Sequence, residues 1–172
     1  MSYKLKEISR EGVPAALAKA ERYRLLNEPG EAESICRDVL RVDPESQAAR
    51  VMLLLALTDQ FGKETGELFR EAREVASGLR SEYQQRYYAG VVCERWAKAH
   101  VGEGEPGHVA HGWIRQAMEW YEKAENLRAQ GNEEAALRWN ACVRLLERNP
   151  FLQPRAAEEA EEPGADEEVP LI

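Results

Sequence analysis

Four side chains with reactive or ligating chemistry fall in one stretch of this chain: Cys93, His100, His108 and His111. A cysteine beside a histidine can act as an activated nucleophile. His108 and His111 are three residues apart, a spacing that puts two imidazoles on one helical face as a metal pair. No Asp, Glu or Cys beside them completes a recognisable ligand set, and Cys93 lies in "AGVVCERW", a helical run without the strained turn that presents a nucleophile. Its competing reading is a packed thiol. "GEGEPG" (residues 102–107) places acids where a phosphate loop needs free backbone donors. Glu133 and Glu134 sit where a helix starts, a place where negative charge favours the dipole without implying acid–base work. No catalytic constellation emerges, so the expectation is a non-enzyme with no cofactor and no metal.

The three cysteines, Cys36, Cys93 and Cys142, are an odd number, widely spaced, each inside a helical pattern. Buried free thiols suit that arrangement better than a disulfide. The beginning, "MSYKLKEISR", has no apolar signal core, and the longest apolar run, "VMLLLAL", is too short to span a bilayer. The expectation is a cytoplasmic protein without membrane insertion. The net charge is −8, and residues 155–172 alone carry −6 of it. A near-neutral body and an acidic block both lack the clustered Lys and Arg that neutralise phosphates, so nucleic acid is not an expected partner.

The elements that must hold these residues are helical throughout. In residues 13–27, Ala16, Ala20 and Tyr23 recur at steps of four and three; "EPG" is read as the break; residues 31–42 gather Ala32, Ile35, Cys36, Val39 and Leu40 on one face. Asp43-Pro44 ends that helix, because the residue before proline avoids the helical region. A helix over 47–59, a second carrying Leu68, Ala72, Val75, Ala76 and Leu79, a longer one over 81–100, another from near His108 to Gln130 and a last one over 133–149 complete the pattern. No run alternates as a strand would. The expectation is all-α, about seven helices in antiparallel pairs, with an N-terminal segment 1–12, a helical domain 13–150 and an acidic tail 151–172.

The unit length is near the roughly 34 residues of a tetratricopeptide repeat, and residues 13–46 resemble one such repeat. Ala20 and Ala32 stand at its small close-packing positions, Tyr23 at the aromatic between them, and Pro44, in "VDPES", at its closing proline. Trp120, Ala124, Leu127, Gly131, Ala136 and Val143 follow the same order in residues 117–150, with Pro150 late. Residues 47–80 match chiefly in Leu53 and Leu57, and 81–116 loosely. Ala16 stands where the family often has Trp, and Lys19 where it usually has Leu. The resemblance implies helix pairs stacked as a right-handed superhelix, a fold whose non-repeating rival is a helical bundle.

It also implies a concave groove lined by the first helix of each pair. Carried over position by position, the groove candidates are Leu17, Glu21 and Arg24; Val51, Leu55 and Asp59; and Tyr121, Glu125 and Arg128. None is Lys or Asn, which disfavours the family's carboxylate clamp. The implied function is a non-catalytic scaffold or adaptor that binds a protein or peptide segment. A structural subunit of a larger assembly, or a small metal-binding or enzymatic helical protein, is the alternative. "VMLLLAL" is apolar all round and needs a cover: a partner, the segment "SYKLKEI", or the chain's own tail. The tail's composition predicts disorder. Its apolar Val169, Pro170, Leu171 and Ile172 are a candidate for the patch at Val51 and Leu55, in the same molecule or a neighbour.

Overall fold

The computed structural model describes residues 3–62, 65–102 and 107–152. Among these residues seven α-helices and no strands occur: α1 (Val13–Leu25), α2 (Pro29–Val42), α3 (Gln47–Thr58), α4 (Gly66–Ser77), α5 (Glu82–Gly102), α6 (Gly107–Glu125) and α7 (Glu134–Arg148). Short 3-10 turns at Arg10–Gly12 and Pro150–Leu152 flank them. The expected acidic tail lies, from residue 153 on, outside the described residues.

The helix ends follow from local chemistry. Ser9 accepts a hydrogen bond from the Gly12 amide at 3.2 Å and leads the chain into α1, where Pro14 occupies the first turn. α1 stops at Asn27, whose φ of 60° is a left-handed conformation that Asn tolerates better than most residues. The break falls at residues 26–28, two residues before the expected "EPG": Pro29 and Gly30 form the first turn of α2, since a proline lacks only an amide that is unpaired there anyway. α2 ends at Asp43, before Pro44. Ser46 then caps α3 by accepting from the Ala49 amide at 3.3 Å, and Asn132 receives the Glu134 amide at 3.0 Å where α7 begins.

Each helix packs on its neighbours in sequence, and alternate helices meet at α1 with α3 and α3 with α5. Ala20 and Ala32 are fully buried, so the α1–α2 crossing is close, and Tyr23 packs half-buried beside them. The "VMLLLAL" run is covered from within the molecule. Leu53, Leu54, Ala56 and Leu57 are buried in a core with Ala20, Cys36, Ala72 and Val92 from α1, α2, α4 and α5. The N-terminal segment is not the cover, because Tyr3 is 90% exposed and Leu5 is 74% exposed. A second core joins α5, α6 and α7 through Val91, Ala97, Ile114, Tyr121, Ala135 and Cys142. Leu55 and Tyr88 touch both cores.

α6 is one unbroken helix across residues 116 and 117, where the repeat pattern divided the chain. On α7 the buried positions are Ala135 and Cys142, each one residue before the expected Ala136 and Val143. Leu127 is 43% exposed rather than packed. The reason lies in α5: a Cβ on Gly90 would stand 2.5 Å from Cε1 of Tyr121, so only glycine lets the Tyr121 ring enter the α5–α6 interface. That contact sets the rotation of α6, and with it the face that α7 can cover.

Candidate functional site

The nine groove candidates divide into two sets. Six of them come from α1 and α3, which touch. Leu17, Arg24, Val51 and Leu55 are half-buried, and Glu21 and Asp59 are exposed. Within this set Arg24 and Asp59 meet, Nε to Oδ2 at 2.6 Å. Asp59 also receives Arg95 of α5 on its other oxygen. The same Arg95 guanidinium donates to Thr58 Oγ1 at 2.7 Å and to the Leu55 carbonyl at 3.3 Å. One carboxylate at the end of α3 thus ties three alternate helices along one face. Arg24 reaches back to Met52 Sδ at 4.0 Å.

The other three candidates do not join that face. Tyr121 is fully buried, against its expected place on a groove, and its hydroxyl donates to Glu94 Oε2 at 2.6 Å. Glu125 and Arg128 pair with each other where α6 gives way to the α7 connection, with Glu133 3.8 Å from Arg128. The groove position that the repeat pattern assigned to α6 is filled by α5, whose Arg95 the pattern did not single out. Val51 and Leu55 offer no free apolar patch either, since Leu55 is packed against both cores.

Beside Arg95 lies a buried charge. Glu94 is 1% exposed and is met by Tyr121, by Lys98 one turn on, and by Arg138 of α7 at 3.4 Å. Burial pushes its carboxyl up, but hydrogen bonds from Lys98 and Tyr121 and the charges of Lys98 and Arg138 outweigh it and hold it below its ordinary value. Burial, with the neighbouring Glu94 charge, drives the Tyr121 hydroxyl far up, so it stays a donor. Arg138 is held up by Glu94 and by a hydrogen bond to Tyr87, against its own partial burial. Burial lowers Arg95, with Asp59 opposing. Charged residues of α1, α3, α5 and α7 therefore form two adjoining clusters, each with two cations on one carboxylate. The signal for Glu94 was present in the sequence as a lone acid inside an apolar run, four residues before Lys98.

The histidines and thiols do not assemble. His100 Nδ1 lies 2.8 Å from the Trp96 carbonyl, with its ring 4.2 Å from the Trp96 ring. His108 is exposed. Among the described residues no group of three His, Cys, Asp or Glu could hold a metal. Cys93 donates instead to Gln116 Oε1 at 3.6 Å. Burial pushes the thiols of Cys36 and Cys93 to about 11 and that of Cys142 to about 12, so at neutral pH they are not thiolates. All three are free. No described helix is long and apolar enough to cross a membrane. No family model matches this chain, and no curated protein or solved structure matches it either.

Proposed function

We propose that this chain is a cytoplasmic, non-catalytic scaffold of tetratricopeptide type, which holds an extended segment of a partner protein on the face shared by α1, α3 and α5. The observation that carries the reading is the single carboxylate of Asp59 held between Arg24 and Arg95 from two other helices. It keeps three alternate helices in fixed register and leaves Glu21 exposed on the same side of α1 as Arg24. A preformed face of this kind spares a partner much of the ordering cost of binding. The half-buried Leu17 adds apolar contact beside it.

Affinity capture with the intact protein, compared with Glu21→Arg and Asp59→Asn, tests the reading. Asp59→Asn keeps the side-chain size, and Glu21→Arg reverses the charge at an exposed position. Proteins retained by the parent and lost from both variants, with circular dichroism showing both variants still folded at the assay temperature, are the expected result. Equal retention by all three proteins would remove the groove from the account.

A further inference from the structure

Between α4 and α6 the molecule is open. At one end Phe69 of α4 and Trp113 of α6 meet edge to face, ring centroids 5.2 Å apart. Further along, the two helices wall a cleft floored by α5, with Ala76, Ala89 and Cys93 at its apolar base and Arg73, Arg86 and Trp120 around it. The open space is about 180 Å³, below the roughly 300–1,000 Å³ typical of small-molecule sites and suited instead to a side chain or two of a peptide.

The rim is basic and under-compensated. Arg73 lies over the Phe69 ring at 5.6 Å, and Lys123 over the Trp120 ring at 4.7 Å. Neither pairs with a carboxylate among the described residues. Arg86 also lies over the Trp120 ring, at 5.5 Å, and pairs only with Glu82, an exposed pair. Arg86 and Lys123 flank one indole, Arg73 lines the same cleft, and Glu82 is the one acid paired with any of the three among the described residues, against two cations to each acid at Asp59 and at Glu94.

The chain carries the complement itself. Residues 155–172 have a net charge of −6 and bring Val169, Pro170, Leu171 and Ile172 directly after a run of three acids. The described chain leaves the body beside α6: Leu152 is buried, and the Phe151 carbonyl lies where a Cβ on Gly107 would stand 2.0 Å from it. From Gly107 to Trp120 is about 20 Å along the helix at roughly 1.5 Å per residue. The twenty residues from 153 to 172 can span up to about 70 Å when extended, so reach does not limit them.

We infer that residues 155–172 dock, within their own molecule, in the α4–α6 cleft, with acids on Arg73, Arg86 and Lys123 and an apolar side chain of residues 169–172 against Trp120 and Ala76. The docking does not rest on the partner-groove reading, since α1 and α3 take no part in it. Its ion pairs are exposed, so it weakens with salt.

Carbodiimide coupling of the full-length protein, which joins carboxylates to lysine amines at contact distance, tests it in an equal mixture of isotope-labelled and unlabelled chains. The expected adducts link Lys123 to the acids between residues 158 and 168, within one chain, at several times the yield seen at Lys4, Lys19 or Lys98. Raising the salt from about 0.05 M to about 0.5 M, which shortens the Debye length to a few ångströms, should cut that yield several-fold. The double variant Arg73→Glu, Arg86→Glu should do the same without moving the melting temperature. If that variant fails to fold, the salt series on the parent protein decides. Adducts mixing labelled and unlabelled chains would place the segment on a second copy and overturn docking in cis. Yields alike at all lysines, or unchanged by salt, would overturn the docking altogether.

Discussion

Glu94 is the residue whose chemistry most exceeds what its sequence neighbourhood suggests. A carboxylate 1% exposed survives as an anion because Tyr121, Lys98 and Arg138 converge on it from α6, α5 and α7. Its folded pKa lies below the ordinary 4.5, so its stabilising contribution is present above about that pH and is lost as pH falls through the folded value. Glu94→Gln removes the charge that Lys98 and Arg138 answer, but those two side chains are 48% and 36% exposed and regain water, so stability at pH 7 should fall by about 1–2 kcal/mol. The gap between parent and variant should narrow below about pH 4 as Glu94 itself protonates. Urea melts at several pH values check this, and a gap that widens in acid would contradict it. Gly90 carries a second prediction. Gly90→Ala gains helix propensity of about 1 kcal/mol, but its methyl would stand 2.5 Å from the Tyr121 ring. Displacing that ring should leave a net loss of roughly 2 kcal/mol or more, seen as a lower denaturation midpoint. A variant more stable than the parent would show that the ring can move freely.

At the scale of the elements, the seven helices were legible because their apolar positions recur at three and four and because Asp43-Pro44, Ser46 and Asn132 punctuate them in ways that local chemistry fixes. Two things were not. The end of α1 is set by a backbone conformation at Asn27, while proline is equally at home in a break and in a first turn, so "EPG" reads both ways. Asn27→Ala should cost roughly 1–2 kcal/mol because alanine resists φ of 60°, whereas Asn27→Gly should cost less than half of that. Thermal melts of the two variants check the order, and equal costs would point to a side-chain role for Asn27 instead. The rotation of α6 was the other. Spacing places Tyr121 on a helix face but cannot say which helix that face meets; that depends on Gly90, thirty-one residues earlier in the chain. Arg24 and Asp59 could be named together because they occupy equivalent places on successive pairs. Arg95 could not, because the repeat pattern is loose across α5.

At the scale of the whole molecule, α5 is the hinge of the architecture in the sense of packing: Val92 belongs to the first core, Val91, Cys93 and Ala97 to the second, and Leu55 and Tyr88 touch both. Neighbour-only stacking often permits the ends of a helical array to unfold separately. Shared use of one 21-residue helix opposes that here. Trp120 and Trp139 lie on α6 and α7, away from the first core, so in a variant with Trp96 and Trp113 replaced by Phe their fluorescence reports the second half, while far-ultraviolet circular dichroism reports every helix. The two signals should give coincident denaturation curves. A tryptophan transition displaced from the helical one by more than the fitting error would mean that the two cores are thermodynamically separate bodies.

The proposal that the face of α1, α3 and α5 receives a partner is tested most directly by placing a photoactivatable side chain on it. Position 21 on α1 is exposed beside the Arg24–Asp59–Arg95 row, and positions 31 and 70, on α2 and α4, are exposed elsewhere. Irradiation of the intact protein in lysate should give a discrete partner adduct from position 21, abolished by Asp59→Asn, and none of the same mass from positions 31 and 70. The same adduct from positions 31 or 70 with none from 21, or an adduct from 21 that Asp59→Asn leaves untouched, would contradict the account.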